Sequence, residues 1–276
     1  MKSLFVLVTL FFTFGLVQAN QTEKIIGDND LVVVNKDATN IPLRFKNVIN
    51  AFGIIKYQDT DSAGNPSETY YGCTATHIGR GYVLTAGHCV GANSQLKVGT
   101  GCKFSVTDPF FGNYTSEITA IEWGYREGLE PYLKSTCQEV VVALTNDQGF
   151  DFAILKVSQA PEEFILPDTS RRAIIGDSVT IFSHPNGEVL QWSRTCGVER
   201  VQHPDIPGSY IQHKCDTNPG SSGATIINAV SMKVVGIHDG GVNDMGSDGQ
   251  RLTTGMNYGT YIFNSPLLDY LVKLGF

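Results

Sequence analysis

The sequence predicts an all-β protein that ends in one helix. Short runs rich in β-branched and aromatic residues recur along the chain, bounded by Gly, Asn, Asp and Pro. Glycine reaches 29 of 276 residues, above the usual ~7% and suited to many turns. Charged residues make up 17%, below the ~25% of an ordinary soluble domain. Only the terminal SPLLDYLVKLGF has helical periodicity.

Taken in order, GCTATHIG and YVLTA flank a turn at Gly79-Arg80-Gly81, and QLKVG, SEITAIEW and DFAILKV follow. A second set is SVTIFSH, EVLQWS, SYIQHK, ATIIN, KVVGIH and GTYIFN. In the terminal helix Ser265 is placed to cap, Pro266 opens the first turn, and Leu267, Leu268, Leu271 and Leu274 share a face. Periodicity alone reaches a β-barrel or sandwich.

The first nineteen residues have a lysine, an apolar stretch from Leu4 to Val17, and a small-x-small exit at Val17-Gln18-Ala19. That is the pattern of a signal peptide, 1–19. The run is shorter than the ~20 residues of a membrane span, and Thr9, Thr13 and Gly15 dilute it. A secreted protein, extracellular or periplasmic, is expected, with no membrane partner. Six cysteines in an exported chain predict three disulfides. Neighbours in sequence pair as Cys73–Cys89, Cys102–Cys137 and Cys196–Cys215, one of many possible connectivities. No C-x-x-C occurs, which argues against a zinc ribbon or thioredoxin-like site. The net charge of −7 excludes a nucleic-acid partner, which requires basic patches. The length after processing suits one large β domain or two packed barrels.

Three stretches carry chemistry. CDTNPGSSGATIIN sets Ser221 and Ser222 between glycines ahead of a strand. VLTAGHCV ends a strand with His88 beside Cys89, whose disulfide would hold a general base rigid. GFDFAILKV opens an apolar strand with Asp151, a residue disfavoured in strands. Each has a bland alternative: a Gly/Ser turn, a structural histidine, a turn cap.

Together the order His, Asp, Ser in TAGHC, DFAIL and PGSSGA resembles the chymotrypsin-fold (trypsin-like) serine peptidases. The resemblance runs from about Ile25 to the C-terminal helix. LTAGHC is nearly a signature; DFAIL is weak alone. Ser221 and Ala224 depart from the common animal form. Ser221, KIIGDND and VVGIHDGG are similar to the bacterial glutamyl endopeptidase branch.

The resemblance implies two antiparallel six-stranded β-barrels, 25–165 with His and Asp, and 166–276 with Ser and the helix. It implies Ser222 as nucleophile rather than Ser221, His88 as general base and acid, and Asp151 as its orienting partner. The N–H groups of Gly220 and Ser222 would form the oxyanion hole, and Gly223 would leave room for the acyl group. No metal or cofactor is implied; the partners are protein or peptide substrates of a monomer. TEK-IIGDND resembles an activation site that removes a pro-segment, 20–24, and exposes Ile25. The branch implies cleavage after Glu or Asp, with Thr217, His238, Gly240, Gly241 and Ile25 at the pocket. The rival is Asp216, which lies where trypsin carries the acid that selects Arg and Lys.

A secreted homologue without activity, and an adhesive disulfide-rich β domain, are the readings from other classes. All three triad positions are kept, which argues against both. HPNG at 184–187 reads as a β-turn, His203 and His213 receive no role, and Asn113-Tyr114-Thr115 is a glycosylation sequon.

Overall fold

The computed structural model describes residues 25–108, 112–146, 149–201, 210–241 and 255–276. The signal segment 1–19, the pro-segment 20–24 and His203 lie outside them.

The chain begins with a short strand β1 (Val32–Val33) and a single helical turn α1 (Leu43–Lys46). The first sheet follows: β2 (Phe52–Asp61), β3 (Tyr70–Gly79), β4 (Tyr82–Thr85), β5 (Lys97–Thr100), β6 (Lys103–Asp108), β7 (Gly112–Trp123), β8 (Leu133–Ser135), β9 (Cys137–Thr145) and β10 (Asp151–Val157). The second contains β11 (Ser178–Ser183), β12 (Gln191–Arg200), β13 (Tyr210–His213), β14 (Thr225–Asn228), β15 (Val234–Gly241) and β16 (Asn257–Tyr261), and α2 (Pro266–Lys273) ends the chain.

The expected all-β fold with a terminal helix is present. In the second sheet the order β12-β11-β14-β15-β16-β13 is closed by pairing of β13 with β12, giving a six-stranded barrel. The first differs from a closed barrel. It runs β5-β9-β10-β4-β3-β2-β7-β6, with β8 also on β7, and curls into a half-barrel. β7 causes the difference: it is long enough to pair with β2 along its length, with β6 through its first half and with β8 at its end. The hairpin β6–β7 therefore extends the sheet outward instead of closing it.

The β3–β4 turn confirms its sequence signal, since Gly79, Arg80 and Gly81 all have positive φ. At the terminal helix Pro266 occupies the first turn, with Leu267 and Leu271 buried. Ser265 does not cap with its side chain; its hydroxyl donates back to the Ile262 carbonyl at 3.1 Å. The three expected disulfides form. Among the described residues no helix is long and apolar enough to cross a membrane.

A core shared by both sheets joins the halves, with Phe52 of β2 stacked on Phe182 of β11 at 4.7 Å between ring centroids, and a separate cluster that includes Val179, Ile211 and Ile226 lies within the second barrel. Both chain ends cross over. Residues ahead of the first sheet lie on the second: β1 pairs with β12, and Phe45 of α1 packs on Phe182 and Trp192. The C-terminus returns to the first sheet. Arg80 donates to the Gly275 carbonyl at 2.8 Å and lies over the Phe276 ring, which also meets Tyr82 edge-on.

Candidate active site

His88 opens a single 3₁₀ turn, His88–Val90, directly after β4. Asp151 is the first residue of β10, and that strand pairs with β4. The pairing brings the two side chains together from opposite directions. His88 Nδ1 lies 2.6 Å from Asp151 Oδ2, and the His88 backbone N–H donates to Asp151 Oδ1 at 2.8 Å. The Thr145 hydroxyl donates to the same Oδ1 at 3.0 Å. Asp151 thus receives three groups and is almost fully buried, while the His88 side chain remains 26% exposed.

Burial alone would raise the Asp151 carboxyl. The adjacent His88 charge and these hydrogen bonds outweigh it and hold the carboxyl below its ordinary value. The carboxylate can therefore fix the Nδ1–H tautomer and leave Nε2 as the basic atom. The Asp151 backbone N–H donates to the Thr260 hydroxyl at 2.7 Å, tying the start of β10 to the second barrel.

Ser222 stands on the loop before β14 and is tied to the first sheet. Thr74 N–H donates to the Ser222 carbonyl at 2.8 Å, and the next residue back, Cys73, is bridged to Cys89, the neighbour of His88. Thr74 is the hub of the site. Its hydroxyl donates to the Gly220 carbonyl at 2.9 Å and accepts the His184 N–H at 2.9 Å, while its carbonyl accepts the Thr85 hydroxyl at 2.8 Å.

The two serines have different surroundings. Ser221 is fully buried, with its hydroxyl 3.0 Å from that of Ser183 and accepting the Asn218 N–H at 3.3 Å. Ser222 retains 9% exposure.

The loop's glycines are required by conformation and space. Gly220 has φ +100°, and a Cβ there would lie 2.7 Å from the His184 carbonyl oxygen. The HPNG turn is thus the floor beneath Gly220, and Asn186 N–H donates to the Pro219 carbonyl. Gly223, expected to leave room for an acyl group, is also required by packing. At φ +84° its Cβ would press on the Thr85 hydroxyl, lie 2.5 Å from the Thr74 oxygen and 2.8 Å from the Ala86 nitrogen.

Asp216 does not stand open to a ligand. Its Oδ1 accepts the Ile26 N–H and its Oδ2 the Asp30 N–H, each at 2.7 Å. Thr217, the next residue, is fully buried, and its hydroxyl has no partner among the described residues. His238 on β15 is fully buried with Nδ1 3.3 Å from Nε2 of His213 on β13. His213, which received no role from the sequence, is therefore the immediate neighbour of a pocket candidate. Burial drives His213 down to about 3. Burial, then His213 and then His88, hold His238 well below its ordinary value. Gly240 and Gly241 continue β15 opposite Tyr258 and Asn257.

Thr74, Thr145, Thr260 and His213 lie within strands and carry no local motif, and His184 shows in the sequence only as part of the HPNG turn. Asp239, beside His238 in VVGIHDGG, likewise carries no motif of its own.

Two curled antiparallel sheets joined by one core, with the His88–Asp151 pair and the Ser222 loop tied to one strand, form the chymotrypsin fold of serine peptidases. Residues 73–237 match the family model of the trypsin-like peptidase domain. The chain belongs to that family and is a serine endopeptidase, a hydrolase acting on proteins or peptides.

Among solved structures, a Glu endopeptidase in complex with MPD is 19% identical over 91% of this chain and 98% of its own, with a TM-score of 0.55. An M. tuberculosis protease in its active form is 15% identical over 83% of each chain, with a TM-score of 0.47. No curated protein matches the chain in sequence.

Proposed function

We propose that this is an exported endopeptidase that cuts after acidic residues, Glu above Asp, through Ser222, His88 and Asp151. The observation that carries the chemistry is the buried carboxylate 2.6 Å from His88 Nδ1. His88 Nε2 takes the Ser222 proton as Oγ attacks the scissile carbonyl carbon. The N–H groups of Gly220 and Ser222 receive the developing oxyanion. His88 then protonates the leaving amine, giving an acyl-enzyme that water hydrolyses by the same proton transfers in reverse roles. The half 25–165 supplies base and acid, and the half 166–276 supplies the nucleophile and, with Ile25, the pocket.

The acidic preference is supported by the orientation of Asp216. Both its oxygens are taken by backbone N–H groups, so it is a poor receptor for a substrate Arg or Lys, the rival reading. Thr217 and His238 supply donors for a substrate carboxylate, and Gly240 and Gly241 keep the pocket wall open. A charge-assisted hydrogen bond contributes roughly 1.5–3 kcal/mol, so these two set a clear preference.

The test is digestion of a proteome-derived peptide mixture, reading the residue before each cut. Cuts are expected to follow Glu and Asp, and His238→Ala should raise KM for acidic substrates about tenfold or more. Cuts after Arg or Lys that vanish in Asp216→Ala and ignore His238→Ala would establish the trypsin-like pocket instead. The pH dependence has a definite sign. His238 is neutral in the empty pocket, and an incoming carboxylate favours its protonated form. Binding therefore takes up a proton, and KM for Glu substrates should rise with pH while that for a neutral amide analogue stays flat.

The same clamp supports maturation at Lys24–Ile25. Asp216 holds the amide of Ile26, next to Ile25, and is itself next to Thr217. Removal of 20–24 would deliver a positively charged amine to the acidic-residue pocket. Terminal sequencing of active enzyme should read Ile25; full activity in a chain beginning at Asn20 would refute this.

A further inference from the structure

Asp239 is the extra residue of a β-bulge. In the β15–β16 ladder His238 pairs with Gly259 and Gly240 with Tyr258, leaving Asp239 unpaired between them. Gly259 permits the distortion, since a Cβ there would lie 3.0 Å from His238 Cα and press on the Ile237 carbonyl. Bulges re-aim side chains, and this one directs a carboxyl into the interior, where it is 1% exposed. Asp239 Oδ2 lies 3.0 Å from the Thr260 hydroxyl. That hydroxyl is the acceptor of the Asp151 N–H.

We propose that Asp239 is a positioning residue of the peptidase: it holds the Thr260 hydroxyl, and through it the start of β10 that presents Asp151 to His88. The inference rests on Asp151 serving His88. Thr260 is buried and its hydroxyl can rotate. Without Asp239 it could turn its lone pairs from the Asp151 N–H, and the carboxylate would lose its fixed angle.

Asp239 performs this as the neutral acid. Burial, and then the Asp151 charge, raise it well above the carboxylate range, and the Thr260 hydrogen bonds oppose this only in part. The other titratable groups around it are the Tyr210 hydroxyl on β13 and His238 beside it on β15, together with His88 beyond Asp151. Neither Tyr210 nor His238, which burial holds in its neutral form, supplies a cation that would hold a second carboxylate there, and His88 is committed to Asp151.

The test is a double-mutant cycle on enzyme counted by active-site titration. Asp239→Ala and Thr260→Val should each lower kcat about fivefold to tenfold, the size of one net hydrogen bond, with KM unchanged. The double variant should be no worse than the poorer single, and Thr260→Ser should restore kcat. Multiplying losses, or full kcat in titrated Asp239→Ala enzyme, would overturn the proposal. Asp151→Asn is the reference: if it too keeps full activity, the triad assignment fails rather than this one.

The pH profile separates neutral from charged. Asp239→Asn replaces one neutral group by another, so the acid limb of kcat/KM should stay in place. A limb displaced to lower pH would mean that an ionised Asp239 had favoured the His88 cation, which overturns the neutral role. Because the folded Asp239 value is raised, wild type loses stability as pH climbs above ~4 toward that value. The Tm of Asp239→Asn relative to wild type should accordingly increase with pH; a difference that stays constant or falls with pH contradicts a buried neutral acid.

Discussion

Ser222→Ala should reduce kcat/KM on the order of 10⁴–10⁶-fold while leaving Tm within a degree or two of wild type, because the triad acts as a unit and the change removes one oxygen. His88→Ala should lose a comparable amount. Ser221→Ala is the informative companion. Its hydroxyl is committed to Ser183 and to the Asn218 N–H, so its loss should cost about 1 kcal/mol of stability and little activity. Peptide hydrolysis with a chromogenic substrate, alongside thermal unfolding, reads both quantities. An active Ser222 variant with a dead Ser221→Ala would move the nucleophile by one residue.

The second large effect is expected at Gly223→Ala. A left-handed backbone costs a non-glycine residue about 1–3 kcal/mol, and overpacking a rigid site costs about 1–3 kcal/mol more. The sum, on the order of 4 kcal/mol, is a large part of the stability of an ordinary domain. The obstacles are the Thr74 oxygen and the Ala86 nitrogen, which are backbone and cannot swing aside. Activity should fall even in the folded fraction, since Thr74 also holds the Ser222 carbonyl. Gly64→Ala is the control. It shares the positive φ, +90°, but has nothing within 4 Å of the added carbon, so it should lose only the backbone part. Denaturant unfolding of both variants, with equal losses, would show that packing between the halves is not what Gly223 protects.

The residues legible in the sequence are those whose signal is contiguous. His88 and Ser222 sit in short motifs whose neighbours have local jobs: Cys89 bridges, and Gly220 turns. Asp216 shows the limit. By position it matches the acid of trypsin, yet its partners, Ile26 and Asp30, are some 190 residues away in sequence. No local pattern could report which way the carboxyl faces.

His213 was invisible for another reason. In SYIQHK it takes the place of any core residue on a strand buried throughout, and only the pairing through β16 brings it to His238. The first sheet was the harder half. β2 ends in the polar YQDTD, and β6 and β8 attach to β7 at the margins, where no residue of β6 from Lys103 to Thr107 is fully buried. An extra residue such as Asp239 leaves no trace in an apolar run except a carboxylate among glycines. Bulges are properties of two strands, and a sequence displays one at a time.

The crossing of the chain ends means that neither half is a complete folding unit. A fragment ending near residue 165 would carry β1 and α1 with the partner surface for them missing, exposing Phe45 and leaving the second barrel's Trp192 uncovered. A fragment beginning there would carry Phe276 without Arg80 or Tyr82 to receive it. Mixed together, the two pieces hold each other's missing parts, and a single nick between Ala160 and Arg172 should leave an assembled, non-covalent pair. A peptidase built this way would hold together through a cut in the segment that joins its two halves.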